Sequence, residues 1–332
     1  MIVVDDPSEL PSDFGDTVVA IGKFDGVHAG HRTIIDHLLI DAASCDARTV
    51  AVTFDRNPLA TIAPEHCPEL VVGVDQKIDL LAATGLDATL VLRFDEQLAA
   101  VSAEDFVTRY LVDGLHASRV LVGEDFRFGR GGRGNPDMLA EMGREHGFTV
   151  AVIADVASGD QKTGRRVSST WIRELLAEGD VERAAKVLGH AHAVRGTVVH
   201  GLQRGRELGF PTANLAPDLT GFVPADGVYA GWVAVRPPDG ELAIGAQFPA
   251  AISVGTNPTF DDVPERVVEA HVLGRHDLDL YHRTVDVSFS YRIRGMVAFD
   301  GMEPLKEQMQ HDVDTAWSLL RSRPRAIRGL MP

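Results

Sequence analysis

Thr17-Val-Val-Ala-Ile-Gly-Lys-Phe-Asp-Gly-Val-His-Ala-Gly-His31 runs a short apolar stretch straight into a turn rich in glycine and histidine. The apolar part, Thr17–Gly22, places β-branched and small residues on consecutive rather than alternate positions. That pattern predicts a strand buried on both faces. Four later runs share it: Thr49–Phe54, Ala88–Leu92, Arg119–Gly123 and Phe148–Ala154. Helical patterns separate them, at 31–43, 75–84, 102–113 and 135–146. Strand and helix repeated in this way predict a doubly wound α/β domain with a parallel sheet, whose ligands bind beyond the carboxyl ends of the strands.

The pattern changes near residue 190. Helical stretches at 169–177 and 180–188 end at Gly189, and the chain then reads as β: Val194–His200, Tyr229–Val235, Ala251–Val254, Val267–Leu273 and Thr284–Arg292. Gly and Pro turn signals divide these runs, so a small antiparallel β-barrel is expected, closed by a helix at 303–321. The expected domains are 1–187 and 188–332, an α/β unit followed by a β unit.

Two domains suit a chain of 332 residues of which 45% are hydrophobic. The formal net charge of -16 argues against a broad nucleic-acid-binding face, though not against phosphate held by a few local donors. Cys45 and Cys67 have no zinc spacing and suggest no disulfide framework, which fits a reducing cytoplasm. The acidic start MIVVDDPSELPSDFGD does not look like a signal peptide, and no apolar run approaches a bilayer span. Oligomeric state is not readable.

The turn Gly22–His31 falls where the first strand ends and the first helix begins. Helix N-termini present unpaired N–H groups and a partial positive charge, a ready phosphate site. His28 and His31, three apart, can face one ligand there, while Gly26 and Gly30 allow close backbone approach. A His-x-Gly-His tetrad arises by chance roughly 0.05 times in a chain of this composition. The bland alternative is a pair of solvent-facing histidines capping a helix.

GKFDGVHAGH resembles the signature of the nucleotidylyltransferases, in the version found in prokaryotic FAD synthetases. Thr53-Phe-Asp-Arg-Asn-Pro58, Val122-Gly-Glu-Asp-Phe-Arg-Phe-Gly129 and Arg166-Val-Ser-Ser-Thr-Trp-Ile-Arg173 match that version in order. The resemblance implies that the phosphate of FMN attacks the α-phosphorus of ATP and pyrophosphate leaves, with no covalent enzyme intermediate. It implies that His28 and His31 hold the triphosphate and its developing charge. Ser168, Ser169, Thr170 and Arg173 would hold the leaving phosphates, with Gly22, Phe24, Asp25, Gly26, Asp125 and Phe126 by the nucleotide or flavin. Taken alone, SSTWIR reads equally as an N-capped helix. Arg56 and Asn57 depart from the family pattern and leave the role of that loop open. Gly129-Arg-Gly-Gly-Arg-Gly134 formally matches a dinucleotide fingerprint, but it stands well after its strand rather than on a strand-to-helix turn. It reads as a basic loop near phosphates or as an exposed connection.

In the second half, Arg195–Asn214 resembles the riboflavin kinase domain. No Walker A sequence exists, so a kinase here needs another phosphate cradle. By resemblance Gly201, Arg206 and Gly209 belong to that cradle, and Thr212 and Asn214 supply hard oxygens for Mg²⁺ bound to ATP. A plain β-turn is the competing reading of Pro211–Asn214. Asp226–Tyr229, Ser253–Phe260 and Val268–Leu273 match the family's order. Period-two geometry puts Glu269 and His271 on one strand face, and the resemblance makes Glu269 the general base toward the 5′-hydroxyl of riboflavin. Phe299, Leu305, Gln308 and Asp312 follow in the family's order, as a stretch that could contact flavin. The expected activity is therefore ATP-dependent conversion of riboflavin to FMN and of FMN to FAD. The expected partners are these small molecules, without nucleic acid or membrane. Alternatives are a nucleotidylyltransferase for another phosphate acceptor and a non-catalytic flavin-binding or flavin-sensing protein.

Overall fold

The structure is a computed structural model that describes residues 1–157, 164–201, 208–237, 247–256, 266–275 and 278–322. Contacts divide it into two units, one of Met1–Leu70 with Val74–Ser168, the other of Val71–Gly73 with the chain from Ser169 onward.

The first unit is built on six parallel strands: β1 (Ile2–Val4), β2 (Thr17–Ile21), β3 (Arg48–Phe54), β4 (Ala88–Leu92), β5 (Ala117–Gly123) and β6 (Thr149–Ile153), ordered β1-β4-β3-β2-β5-β6. All five residues of β2 are buried, as the unbroken apolar run requires. The helices are α1 (Ala29–Cys45), α2 (Leu59–Ile62), α3 (Val74–Ala82), α4 (Glu96–Ala100), α5 (Ala103–Phe106) and α6 (Pro136–His146). The core joins Val19 and Ile21 of β2, Val50 and Val52 of β3, Leu90 of β4 and Val120 and Val122 of β5 to Phe106, Leu111 and Leu139.

Strand β1 was not expected from sequence. Three residues carry no periodicity, and they become a strand because Ile2–Val4 find the free edge of β4. The helix expected at 102–113 is α5, capped by the Ser102 hydroxyl and continued by a π-helical stretch, Val107–Val112. The order of the strands matters more. From β2 the chain winds outward through β3 to β4, then returns to place β5 on the other side of β2. The loops leaving the carboxyl ends of β2 and β5 therefore diverge, which opens a crevice where doubly wound sheets bind ligands.

The second unit starts with α7 (Ser169–Glu178) and α8 (Val181–Leu188). Six antiparallel strands follow: β7 (His192–Val199), β8 (Ala213–Leu215), β9 (Gly227–Val235), β10 (Gln247–Gly255), β11 (Val267–Val272) and β12 (Thr284–Arg294). They close as β10-β11-β8-β7-β12-β9. Strand β8 falls in a segment read from sequence as a turn. Alternation is plain in β7, where every second residue is buried. Gly231 of β9 has no room for a side chain, since a Cβ would lie 1.8 Å from the Ser288 carbonyl oxygen of β12. Helix α9 (Met302–Ser322) packs Ala316 and Leu320 on Ala230 and Ala251. Helices α7 and α8 belong to this unit. Arg292 Nη1 donates to the Glu178 carbonyl at 2.8 Å, the Ala225 amide donates to the Leu176 carbonyl at 2.9 Å, and α8 buries Val181, Ala184, Ala185, Val187 and Leu188.

Candidate active sites

The loop after β2 is a tight, strained turn. Phe24 and Val27 have φ of 48° and 40° and Gly26 has 84°, while Phe24 and Val27 are fully buried. A β-branched residue at positive φ is a true outlier, held only where packing over-determines it. Space is as tight as geometry: a Cβ on Gly22 would lie 3.3 Å from the Phe24 ring, and one on Gly30 would lie 3.3 Å from the His28 ring.

His28 caps α1. Its Nδ1 accepts from the His31 amide at 3.3 Å, so in the neutral ring Nε2 carries the proton. The two imidazoles stack with centroids 3.6 Å apart, and Phe24 meets His31 edge-on at 5.2 Å. His28 is only 7% exposed. A capping role and a buried, ligand-ready ring thus coexist, and the bland reading of solvent-facing caps does not describe it. Burial, then the neighbouring His28, Lys77 and Lys23, push His31 well below its ordinary value. His31 Nδ1 is shielded from solvent and has no hydrogen-bond partner among the described residues. The stacked imidazoles and the first amides of α1 are donors of the kind that polyphosphates accept from.

Across the crevice, the loop after β5 carries Asp125 and Phe126. Phe126 stacks on Phe128 at 5.4 Å. Asp125 pairs with Arg166, whose guanidinium also reaches Asp155 at 2.8 Å, and the hydrogen bond from Arg166 holds the Asp125 carboxyl below its usual range. Val167 lies beside Gly30, its Cγ1 3.9 Å from where a Cβ would stand. Gly22, Phe24, Asp25, Gly26, His28, His31, Asp125 and Phe126 thus line loops that leave the adjacent central strands β2 and β5. Ser168 ends the first unit, and Ser169, Thr170 and Arg173 lie in the first turns of α7, with Arg173 Nη2 donating to Thr170 Oγ1 at 3.4 Å. Asn57 Oδ1 accepts from the Leu59 amide at 3.1 Å, a local turn bond that gives Asn57 a structural task.

The Gly129–Gly134 segment is a closed turn. Phe128 and Gly134 bridge, Gly129, Gly131 and Gly132 all have positive φ, and a Cβ on Gly129 would meet the Ala103 backbone at 2.6 Å. The helix after it is capped by Asn135, so no glycine stands at that N-terminus as a dinucleotide fingerprint requires.

In the barrel, Asn214 of β8 pairs with Val199 of β7 on one side and with Glu269 of β11 on the other. Paired residues share a face. Val268 and Ala270 point into the barrel, so Glu269 and Asn214 stand on its outer face together. Asn214 Nδ2 donates to Thr212 Oγ1 at 3.1 Å. Gly201 lies against this pair, for a Cβ there would be 2.5 Å from the Asn214 carboxamide. Glu269 is half-buried, and burial alone pushes its carboxyl above the ordinary 4.5. No ion pair among the described residues offsets that. His271, on the same face, is spoken for: its Nδ1 lies 2.8 Å from the Pro211 carbonyl, and Phe210 meets its ring edge-on. Gly209, at φ 91°, makes the turn before β8. Arg206 and Asn257–Phe260 lie outside the described residues.

Asp312 accepts from Arg294 at 2.6 to 3.1 Å and from Gln308 at 2.9 Å, and Arg294 stacks over Phe299 at 5.8 Å. The Phe299–Asp312 stretch therefore clasps α9 to β12. Sequence reading missed Lys77 of α3, buried at 7% exposure beside the His28–His31 loop. A signal existed: Lys77 falls three and four residues before the buried Leu80 and Leu81, on the apolar face of α3.

Comparison with known proteins follows the same division. The FAD synthetase family pattern matches residues 10–171, and the riboflavin kinase pattern matches residues 188–320. The bifunctional riboflavin kinase/FMN adenylyltransferase of Escherichia coli is 35% identical over 300 residues, 90% of this chain and 91% of its own. That of Haemophilus influenzae is 33% identical over 304 residues, 92% and 94% of the two chains. A crystal structure of a protein named macrolide-efflux protein from Streptococcus pneumoniae is 30% identical with a TM-score of 0.80, covering 95% of this chain and 98% of that one. Among the described residues of this chain, no helix is long and apolar enough to cross a membrane. On the two matched patterns and the length over which the relatives align, the chain belongs to the bifunctional riboflavin kinase/FMN adenylyltransferase family.

Proposed function

We propose that the two activities of this family divide here between the Gly22–His31 turn and the Thr212–Asn214–Glu269 face. The barrel phosphorylates riboflavin to FMN, transferring the γ-phosphoryl group of ATP and leaving ADP. The α/β unit joins FMN to the AMP portion of ATP, making FAD and releasing pyrophosphate. The observation that carries the assignment of adenylylation is the stacked His28–His31 pair at the carboxyl end of the central strand, with His28 buried and His31 pushed well below its ordinary value by burial. N–H donors there stabilise charge that shifts onto the leaving phosphates, and the stacking orients them before reaction. Ser168, Ser169, Thr170 and Arg173 supply hydroxyl and forked guanidinium donors for those phosphates, a role that rests on their motif.

In the barrel, Glu269 takes the proton of the 5′-hydroxyl as the bond to phosphorus forms. A carboxyl raised by burial is a stronger base than one in water. Thr212 and Asn214 fit Mg²⁺ by chemistry: two neutral hard oxygens leave most of the shell to the phosphates and water. An ion held by these two side chains would supply positive charge to the ATP phosphates. Gly201 keeps the backbone close to Asn214, and Gly209 sets the turn that aims Thr212. The formal net charge of -16 gives no support to a nucleic-acid partner, and the two free cysteines suit a reducing cytoplasm.

The test is direct. Purified protein is incubated with riboflavin, ATP and Mg²⁺, and the flavins are separated over time. FMN should appear first and FAD after it, and FMN supplied directly should also give FAD. FMN formation without any FAD from either start would refute the role given to the α/β unit.

A further inference from the structure

Lys77 belongs to none of the motifs that mark either site, yet it is among the most enclosed charged groups of the first unit, at 7% exposure. A lysine on the apolar face of a helix must find acceptors for its N–H groups or give up its charge. Lys77 Nζ donates to the Phe54 carbonyl at 2.6 Å and to the Lys23 carbonyl at 3.4 Å. Phe54 is the last residue of β3, and Lys23 stands in the turn that leaves β2. Thr53 Oγ1 donates to the same Lys23 carbonyl at 3.1 Å. One ammonium group thus joins the carboxyl ends of two neighbouring strands, at the lip of the crevice.

The turn it holds does not stand easily by itself. Within four residues it has Phe24, Gly26 and Val27 at positive φ, two of them with side chains that disfavour it. Its burial fixes Phe24 against His31, and its end sets the His28 cap. Strain of this kind persists where surrounding groups over-determine the backbone. Lys77 and Thr53 supply polar contacts in that surround.

We propose that Lys77 is a positioning residue for adenylyl transfer: it clamps the Lys23–His28 turn to the end of β3 and so fixes the two imidazoles where the nucleotide phosphates bind. This rests on the assignment of His28 and His31 to the phosphates. Lys77 itself touches no substrate.

The charges that act on Lys77 are Asp25 from the turn and Asp55 after β3; Lys77, His28 and Lys23 in turn act on His31, and Arg56 and Arg93 act on Asp55. Burial draws Lys77 down to about 8 against the pull of the two carboxylates. The ammonium form holds below that pH and is lost as pH rises through it. The charge-assisted bonds to two carbonyls then weaken to those of a neutral amine. FAD formation should fall with a midpoint near 8, a limb that riboflavin phosphorylation on the same chain does not share.

Full-length Lys77→Met, Lys77→Arg and His28→Ala are prepared with the wild type. Rates of FMN to FAD and riboflavin to FMN are taken on each preparation across pH. Lys77→Met should lower kcat for FAD formation ~10²-fold, the scale of a small misplacement of catalytic groups, with a smaller rise in KM for ATP. Riboflavin phosphorylation should stay within about twofold. Amide exchange over residues 20–31 should quicken in Lys77→Met while the barrel keeps its protection. Lys77→Arg, whose charge persists, should recover most of the loss and lack the alkaline limb. Wild-type kcat in Lys77→Met, or the same limb in Lys77→Arg, overturns the clamp. Should Lys77→Met not fold, the limb and Lys77→Arg decide. A His28→Ala protein with normal FAD formation would sink the phosphate assignment itself, whereas an impaired His28→Ala beside a normal Lys77→Met sinks the clamp alone.

Discussion

Replacing Glu269 by Gln tests the kinase chemistry and its physical origin together. The carboxyl is half-buried, pairs in register with Asn214 and Ser253, and is raised above 4.5 by burial, with no cation among the described residues to offset it. Glutamine keeps the size and can still hydrogen-bond a hydroxyl, so riboflavin binding should change little. What disappears is the proton acceptor. Loss of general-base help lowers kcat for FMN formation by ~10²–10⁴-fold, or about 2.7–5.4 kcal/mol at 1.36 kcal/mol per decade. The pH profile gives a second reading. The wild-type rate should climb as Glu269 deprotonates, along an acid limb displaced above 4.5, and the variant should lack that limb. Stability moves the other way. Because the folded pKa is raised, the native state binds more protons than the unfolded chain just above pH 4.5, so stability falls as pH rises through that window. Glu269→Gln removes this cost, and its barrel should melt no lower than wild type at pH 7.5, and higher if the whole cost is realised. The assay is paired: riboflavin to FMN and FMN to FAD on one preparation, with a thermal melt. Near-normal kinase turnover in Glu269→Gln would refute the base assignment, and a lower melting point would refute the burial argument.

Three further outcomes follow from the geometry. His28→Ala should cut FAD formation ~10²-fold or more while leaving riboflavin phosphorylation unchanged, measured as the two rates on one sample; equal loss of both would mean unfolding. Gly201→Ala places a Cβ 2.5 Å from the Asn214 carboxamide, so FMN formation should drop at least ~10-fold with FAD formation from added FMN intact, and an unaffected kinase would show that Asn214 has room to move. A fragment of residues 169–332 should melt roughly 10 °C or more above one of 190–332, because α8 buries five apolar side chains from Val181 to Leu188 and α7 buries Trp171, Ile172, Leu175 and Leu176; equal melting points would show that those helices add nothing to the stability of the barrel unit.

How legible was this in the sequence? The parallel sheet was, because β2 to β5 are unbroken apolar runs and need no partner to announce them. Its edge strand was not: Ile2–Val4 is a strand through the hydrogen bonds β4 offers, and nothing in three residues encodes that. The Gly22–His31 turn was legible as a tight strand-to-helix connection from its glycines and position, but its strain was not, since Phe24 and Val27 give no sign of positive φ. Glu269 and His271 share a face by simple alternation. That Glu269 stands opposite Asn214 depends on strand register over a separation of 55 residues, which local pattern cannot supply. Lys77 was passed over because a lone lysine in a helix is ordinarily solvated, and its misplacement on the apolar stripe was the available clue.

Strand β8 has three residues, and it is the link between β7 and β11. Take it away and the ring opens into a five-stranded sheet with two raw edges, each a row of unpaired amides and carbonyls ready to pair with another chain. The residue at the middle of that link is Asn214. Damage to it is therefore felt first as stickiness: protein that precipitates during purification, or assembles with itself, before any turnover has been measured. A variant library at Ala213–Leu215 should therefore lose soluble yield before it loses kinase rate.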